Sequence, residues 1–123
     1  GNSTQTPTLV PTLSLDRILG ESLLSRKALI LIDVEGAEHL VLRGAQRTLD
    51  ANPRHTWLIE ITHTMHRPAG EGINPNLEET FRQFFDRGYM CHTANDSRTP
   101  VDIVQVRRAV AGEPLTAHNF LFR

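Results

Sequence analysis

The sequence predicts an α/β layered domain on a mostly parallel sheet, and three observations carry that expectation. Ala28-Leu29-Ile30-Leu31-Ile32 is apolar without alternation, as a strand covered on both faces requires. Ala37, Leu40, Val41, Gly44, Ala45 and Leu49 then recur at helical spacing. Thr56-Trp57-Leu58-Ile59-Glu60-Ile61-Thr62 follows as a second strand. Strand, helix and strand in about 35 residues make a βαβ unit, with parallel strands and a right-handed crossover.

The other elements follow in chain order. Residues 1–11, with Pro7 and Pro11 among threonines, read as an extended lead-in to a single domain over 1–123. Ser14 is placed to cap a short helix through about Ser22, with Leu15, Ile18 and Leu19 on one face. The long helix from Ala37 puts Glu38, His39, Arg43, Gln46 and Arg47 on its polar side, and Asn52-Pro53 stops it. Gly44 and Ala45 on its inner side would let it sit close to a sheet. A loop runs from His63 to Asn76, and loops that long are usually functional or mobile. Leu77, Phe81, Phe84 and Phe85 mark another helix, ended by Gly88. Tyr89 to Thr93 reads as a third strand, at an edge. Thr99-Pro100 opens a helix over Val101 to Val110. Asn119 to Phe122 closes the domain as an antiparallel strand.

Composition excludes several classes of function. Apolar residues make up 39% and charged residues 22%, which is enough for a packed core. A net charge of −1 gives no electrostatic reason to expect nucleic acid or an anionic membrane as partner. No apolar run approaches the length of a bilayer span. The N-terminus lacks the basic start and apolar stretch of a secretion signal, and the lone Cys91 suits a reducing compartment. A cytoplasmic protein is therefore expected.

Chemistry is expected beyond the carboxyl ends of the two parallel strands, where open α/β sheets bind ligands. One end carries Asp33-Val34-Glu35-Gly36-Ala37-Glu38; the other carries Glu60-Ile61-Thr62-His63 and then His66. Neighbouring strands lie ~4.8 Å apart, so these ends would share one site. Each residue also has a plain structural reading. Asp33 suits a helix cap, Glu38 an exposed first-turn charge, and His63 and His66 a solvated loop. Glu60 interrupts an apolar strand, so its carboxylate needs a partner or a task. Glu60, His63 and His66 together offer oxygen and nitrogen to a divalent metal, but their spacing matches no strong metal signature. Gly70-Glu71-Gly72 joins no strand to a helix and is not a phosphate cradle. Cys91 has no activating partner in view and reads as structural.

At these residues the pattern resembles a known family. Thr12-Leu13-Ser14-Leu15-Asp16-Arg17-Ile18-Leu19, then Leu31-Ile32-Asp33-Val34-Glu35-Gly36-Ala37-Glu38, then Val41-Leu42-Arg43-Gly44-Ala45 are similar to the signature of the FkbM methyltransferases. Asn74-Pro75-Asn76, Thr80-Phe81, Phe84-Phe85, Gly88-Tyr89 and the closing Asn119 to Phe122 resemble the same family's tail. The resemblance implies the C-terminal half of a Rossmann-like class I sheet, with the Asp33 strand fourth, the Glu60 strand fifth and the last two strands an antiparallel pair. It implies transfer of a methyl group from S-adenosylmethionine (SAM) to a hydroxyl of a sugar or natural product. One departure is Leu31, where the family often has lysine.

The larger departure is that the family's glycine-rich "DVGANxG" block and its "FEP" block do not occur in these residues. The expectation is a chain that cannot form the usual SAM pocket alone and whose first strand is an exposed edge, open to a homodimer. In the complete enzyme Asp33, Glu35 or His63 would act as base, and Glu60 would orient a hydroxyl or the histidine. Asp33, Val34 and Gly36 would lie on the cofactor side. Glu38, His66 and Arg67 would face the acceptor, under the 63–76 loop as a lid. A metal is a further, less favoured cofactor. Two readings compete with this one: a folded, dimerising fragment without activity, and a metal-dependent hydrolase or carbohydrate-binding module using Asp33, Glu60, His63 and His66.

Overall fold

The computed structural model describes residues 6–23, 25–65 and 67–123. The helices are α1 (Leu15–Leu19), α2 (Glu38–Arg43), α3 (Gln46–Leu49), α4 (Leu77–Phe85) and α5 (Ile103–Val110). The strands are β1 (Leu29–Ile32), β2 (Thr56–Glu60), β3 (Cys91–Thr93), β4 (Pro100–Val101) and β5 (Asn119–Phe122), in spatial order β1-β2-β5-β3-β4. The chain is thus a mixed α/β domain with a five-stranded sheet. β1 and β2 are parallel neighbours, as the βαβ reading requires. The expected antiparallel pair of the last two long strands is present as β3 and β5.

The expected mostly parallel sheet is corrected. β5 runs back between β2 and β3 and pairs antiparallel with both, and β4 pairs antiparallel with β3. Among the described residues only the β1–β2 pairing is parallel. The edge beyond β3 is β4, so Cys91 sits on an inner strand. Burial pushes the Cys91 thiol up to about 12, which makes it an inert core group. Pro100 stands in edge strand β4, where a missing N–H costs no ladder bond. α5 starts after it, on a capping box in which the Asp102 carboxylate takes the Gln105 N–H and the Gln105 side chain takes the Asp102 N–H.

The core lies on one face of the sheet. Ile32, Trp57, Ile59, Phe120, Phe122 and Cys91 pack against Leu42, Leu49, Leu77, Phe81 and Phe84 from the helices. Phe84 is its centre: it stacks on Phe122 at 3.9 Å between centroids and meets Trp57 and Tyr89 edge-on at 5.6 and 5.3 Å. The other sheet face carries Leu29 and Leu31, which are 66% and 68% exposed. The apolar run of β1 is therefore covered on one side only, against expectation. A continuous apolar run does not by itself distinguish a strand buried twice from one whose second face awaits a cover.

The single long helix expected from Ala37 to Leu49 is two. The break at Gly44-Ala45 is imposed by α1. Ser14 caps α1 as expected, taking the Arg17 N–H at 3.2 Å. A Cβ on Gly44 would meet the Ser14 Cβ at 3.0 Å, so Gly44 makes room for α1 rather than for the sheet. Asp16 then accepts the Arg47 and Thr48 N–H groups, each at 2.9 Å, and the Thr48 hydroxyl at 2.6 Å, capping α3 from outside. Ile18, expected on the apolar face of α1, is exposed.

His55 ties the start of β2 to the start of β1. It is buried, and its Nδ1 accepts the Ala28 N–H at 3.0 Å, while Nε2 has no partner among the described residues. Burial lowers its pKa from 6.5, so the unfolded chain binds the proton more readily. That contribution to stability is complete above the unfolded value and is lost as pH falls from about 6.5 through the lower folded value. Urea unfolding at pH 7.5 and 5.5 should show the chain less stable at the lower pH, with His55→Gln flattening the dependence. Parallel curves for the two proteins would contradict this assignment.

Candidate functional site at the ends of the parallel strands

β1 ends at Ile32 and the chain turns at once. Asp33, Val34 and Glu35 are exposed, and Glu35 and Gly36 take successive left-handed conformations, with φ of 49° and 102°. A non-glycine residue there is uncommon and marks a turn held by its surroundings. The holding group is Glu38. Its side chain folds back so that Oε1 accepts the Gly36 N–H at 2.9 Å, and the residue is only 1% exposed. This corrects the expectation of an exposed first-turn charge. The sequence places Glu38 on the polar side of a helix, but its side chain folds back into the turn while Arg43 and Arg47 of that side stay exposed.

β2 ends beside this turn. Glu60 is its last residue, half-buried and engaged within the fold, opposite Asn119 of β5. Thr62 is fully buried, and its hydroxyl lies 3.9 Å from where a Gly36 Cβ would sit. That hydroxyl has no hydrogen-bond partner among the described residues. The two strand ends therefore meet through Gly36 and Thr62, as the parallel pairing predicts. His63 comes next. Its Nε2–H donates to the Ala109 carbonyl near the end of α5 at 2.9 Å, which orients the ring and leaves Nδ1 as its lone-pair nitrogen.

The loop that follows is pinned rather than loose. Asn74 is buried; its Nδ2 donates to the Thr62 carbonyl at 2.9 Å, its N–H donates to the His63 carbonyl at 2.8 Å, and its Oδ1 takes the Asn76 N–H. Arg67 reaches across the loop, with Nε donating to the Gly72 carbonyl at 2.9 Å and the guanidinium paired with Glu71 at 3.3 Å. Arg67 is thus committed to loop structure. His66 lies outside the described residues. Sequence reasoning gave neither Thr62 nor Asn74 a role of its own, quoting them only within Glu60 to His63 and within the family-like Asn74-Pro75-Asn76. The readable signal for Asn74 is Asn74-Pro75-Asn76, an asparagine whose side chain bonds its own backbone ahead of a turn.

Asp33, Val34, Glu35 and Gly36 thus follow the end of β1, and Glu60 and His63 stand at and just past the end of its parallel neighbour β2, with His63 turned to α5. No group of three His, Cys, Asp or Glu arranged to hold a metal occurs among the described residues, and none of their helices is long and apolar enough to cross a membrane. The profile of the methyltransferase FkbM domain matches residues 2–91 of this chain. No curated protein and no solved structure matches it.

Proposed function

The chain belongs to the FkbM methyltransferase family, and from that premise we propose that it forms the acceptor side of a SAM-dependent O-methyltransferase acting on a hydroxyl of a sugar or natural product. The observation that carries this reading is the side-by-side parallel pairing of β1 and β2, which supports one shared site for Asp33 to Gly36 and Glu60 to His63. In the complete enzyme the sheet is one half of a Rossmann-like class I arrangement.

SAM, when bound, supplies a methyl group on an electrophilic sulfonium carbon. The residues present fit only one side of such a cofactor. The Gly36 amide is already taken by Glu38, so this turn offers the cofactor mainly the edges of Asp33 and Val34. Gly70 and Gly72, the only closely spaced glycines, lie in the loop that Arg67 ties together. On this reading the cofactor's main pocket is formed by groups other than these.

The acceptor hydroxyl needs a base within reach and a fixed orientation. Of the candidates, His63 has the geometry of one: the Ala109 carbonyl holds Nε2–H, and Nδ1 is the atom that would take the proton. Glu60, three residues earlier at the end of β2, holds either the acceptor or the ring. Asp33 and Glu35, exposed at the rim, contact the acceptor's other hydroxyls. Glu38 acts by holding the turn. The 63–76 loop, locked at its base by Asn74, covers the acceptor side.

Calorimetric titration of the chain with SAM and S-adenosylhomocysteine, followed by 1H–15N spectra with a panel of monosaccharides, tests this. No heat up to millimolar cofactor is expected, together with sugar-induced shifts confined to residues 33–38 and 60–76. Clear SAM binding by the chain alone would remove the divided-pocket reading. Absent or scattered shifts with every sugar would remove the acceptor assignment.

A further inference from the structure

We infer that the cavity between α1, α3 and the start of β2 is a binding site for one buried water molecule, which accepts the His55 Nε2–H and donates to the Asp16 carboxylate. The tautomer of His55 comes first. Its Nδ1 accepts the Ala28 N–H at 3.0 Å, so that nitrogen holds a lone pair and the neutral ring carries its proton on Nε2. Nε2–H is therefore a donor, and it has no acceptor among the described residues. The residue is 1% exposed, so bulk water does not serve it either. A buried donor left without an acceptor costs its full desolvation. Because residues of this chain already enclose the ring, whatever accepts that proton has to fit beside it inside the molecule.

The space beside the ring suits one water. His55 lines a cavity of about 10 Å³ together with Asp16, Leu19, Leu23, Thr48 and Ala51. A single water needs room on the order of 10–15 Å³ by this measure, and two to four polar partners. A metal ion does not fit, because Nε2 presents a proton there instead of a lone pair. An anion is opposed by the Asp16 carboxylate. Asp16 itself supplies an acceptor. Its Oδ1 takes the Thr48 N–H and hydroxyl at 2.9 and 2.6 Å, whereas Oδ2 takes only the Arg47 N–H, at 2.9 Å, and has capacity for another donor. Burial works to raise the Asp16 pKa, but the bonds from Thr48 and Arg47 outweigh it and hold the carboxyl below its ordinary value, an anion at neutral pH. The Thr48 hydroxyl spends its proton on Asp16 and keeps its lone pairs for the water's second hydrogen. The water then has three partners. So placed, it joins the Asp16 cap of α3 to the residue that anchors β1 on β2, and a ring with one lone pair and one N–H meets both demands at once.

Cross-relaxation between water and the isotope-labelled chain, above neutral pH, tests this. The carbon-bound ring protons of His55 and the methyl protons of Leu23 and Ala51 should show laboratory-frame and rotating-frame Overhauser peaks to water of opposite sign, the mark of a held water instead of a passing one. Long-range 1H–15N spectra should place the proton of the neutral His55 ring on Nε2. In His55→Phe, which keeps a ring at this place but offers no N–H, the water peaks of Leu23 and Ala51 should be lost. Missing water peaks at these protons, a ring proton on Nδ1, or peaks that survive unchanged in His55→Phe would each overturn the assignment. The first two readings are made on the unaltered chain, so they decide the matter even where the variant does not fold.

Discussion

Replacing Phe84 with alanine is expected to remove about 3–5 kcal/mol of stability, the range for emptying a buried aromatic site. Phe84 is wholly buried and joins three elements at once: Phe122 of β5 by stacking, Trp57 of β2 edge-on, and Tyr89 ahead of β3. Tyr89 depends on that packing for its own polar contacts, in which its hydroxyl donates to the Leu49 carbonyl and accepts the Trp57 Nε1–H. The cavity left by alanine would therefore be lined by side chains that cannot collapse into it without giving up those bonds. A domain of this size commonly holds ~5–15 kcal/mol in total, so the variant should lose a large share of its stability. Urea denaturation followed by Trp57 fluorescence measures the loss directly. A loss below about 1 kcal/mol, smaller than this mechanism allows, would show that the aromatic cluster is not the keystone of the core.

The second large effect is expected at Glu38. Its carboxylate is buried and holds the Gly36 amide in a turn where two successive residues are left-handed. Glu38→Ala opens a cavity and leaves the half-buried Gly36 N–H without its acceptor, which together cost about 2–4 kcal/mol. Unlike Phe84, the loss is local: the turn should open before the domain does. Hydrogen exchange at residues 34–38 should accelerate in the variant by a factor of ~10² or more, while the amides of α4 change by a smaller factor. Glu38→Gln, which keeps an acceptor oxygen for the Gly36 amide, should recover most of the protection. Equal acceleration in both elements would place Glu38 in the global core instead of the turn. Because Asp33, Glu35 and Gly36 share this turn, the same variant should disturb acceptor-induced shifts at residues 33–38 and spare those near His63.

Much of this was legible before any coordinates. The βαβ unit was readable because an apolar run, a helical period and a second apolar run follow one another with room for a crossover. The place of the candidate site followed from it, since parallel neighbours bring their carboxyl ends together. The α4 stripe of Phe81, Phe84 and Phe85, the Ser14 cap and the Gly88 stop were readable because each depends on local spacing or on one residue's backbone preference. The family was readable from the Asp33 to Glu38 block and the spaced Arg43-Gly44-Ala45.

Three features were not legible, and each depends on groups far apart in the chain. The split of the α2–α3 segment is made by Asp16, some thirty residues away, whose carboxylate substitutes for the helical bonds lost at Gly44. The burial of Glu38 follows from the direction in which the turn enters α2, which the helical period does not encode. The insertion of β5 between β2 and β3 makes the sheet mainly antiparallel in its pairings, and strand sequence alone does not choose a neighbour. The sequence by itself determined which segments become strands and helices, which strand ends can carry acids and imidazoles, and the family to which the chain belongs. Tertiary structure decided strand order, which face of β1 stays open, and which acids serve the fold instead of the site. The division has a physical reason: periodicity and capping act within a turn or two of chain, whereas burial and pairing are set by whatever distant segment reaches the same place.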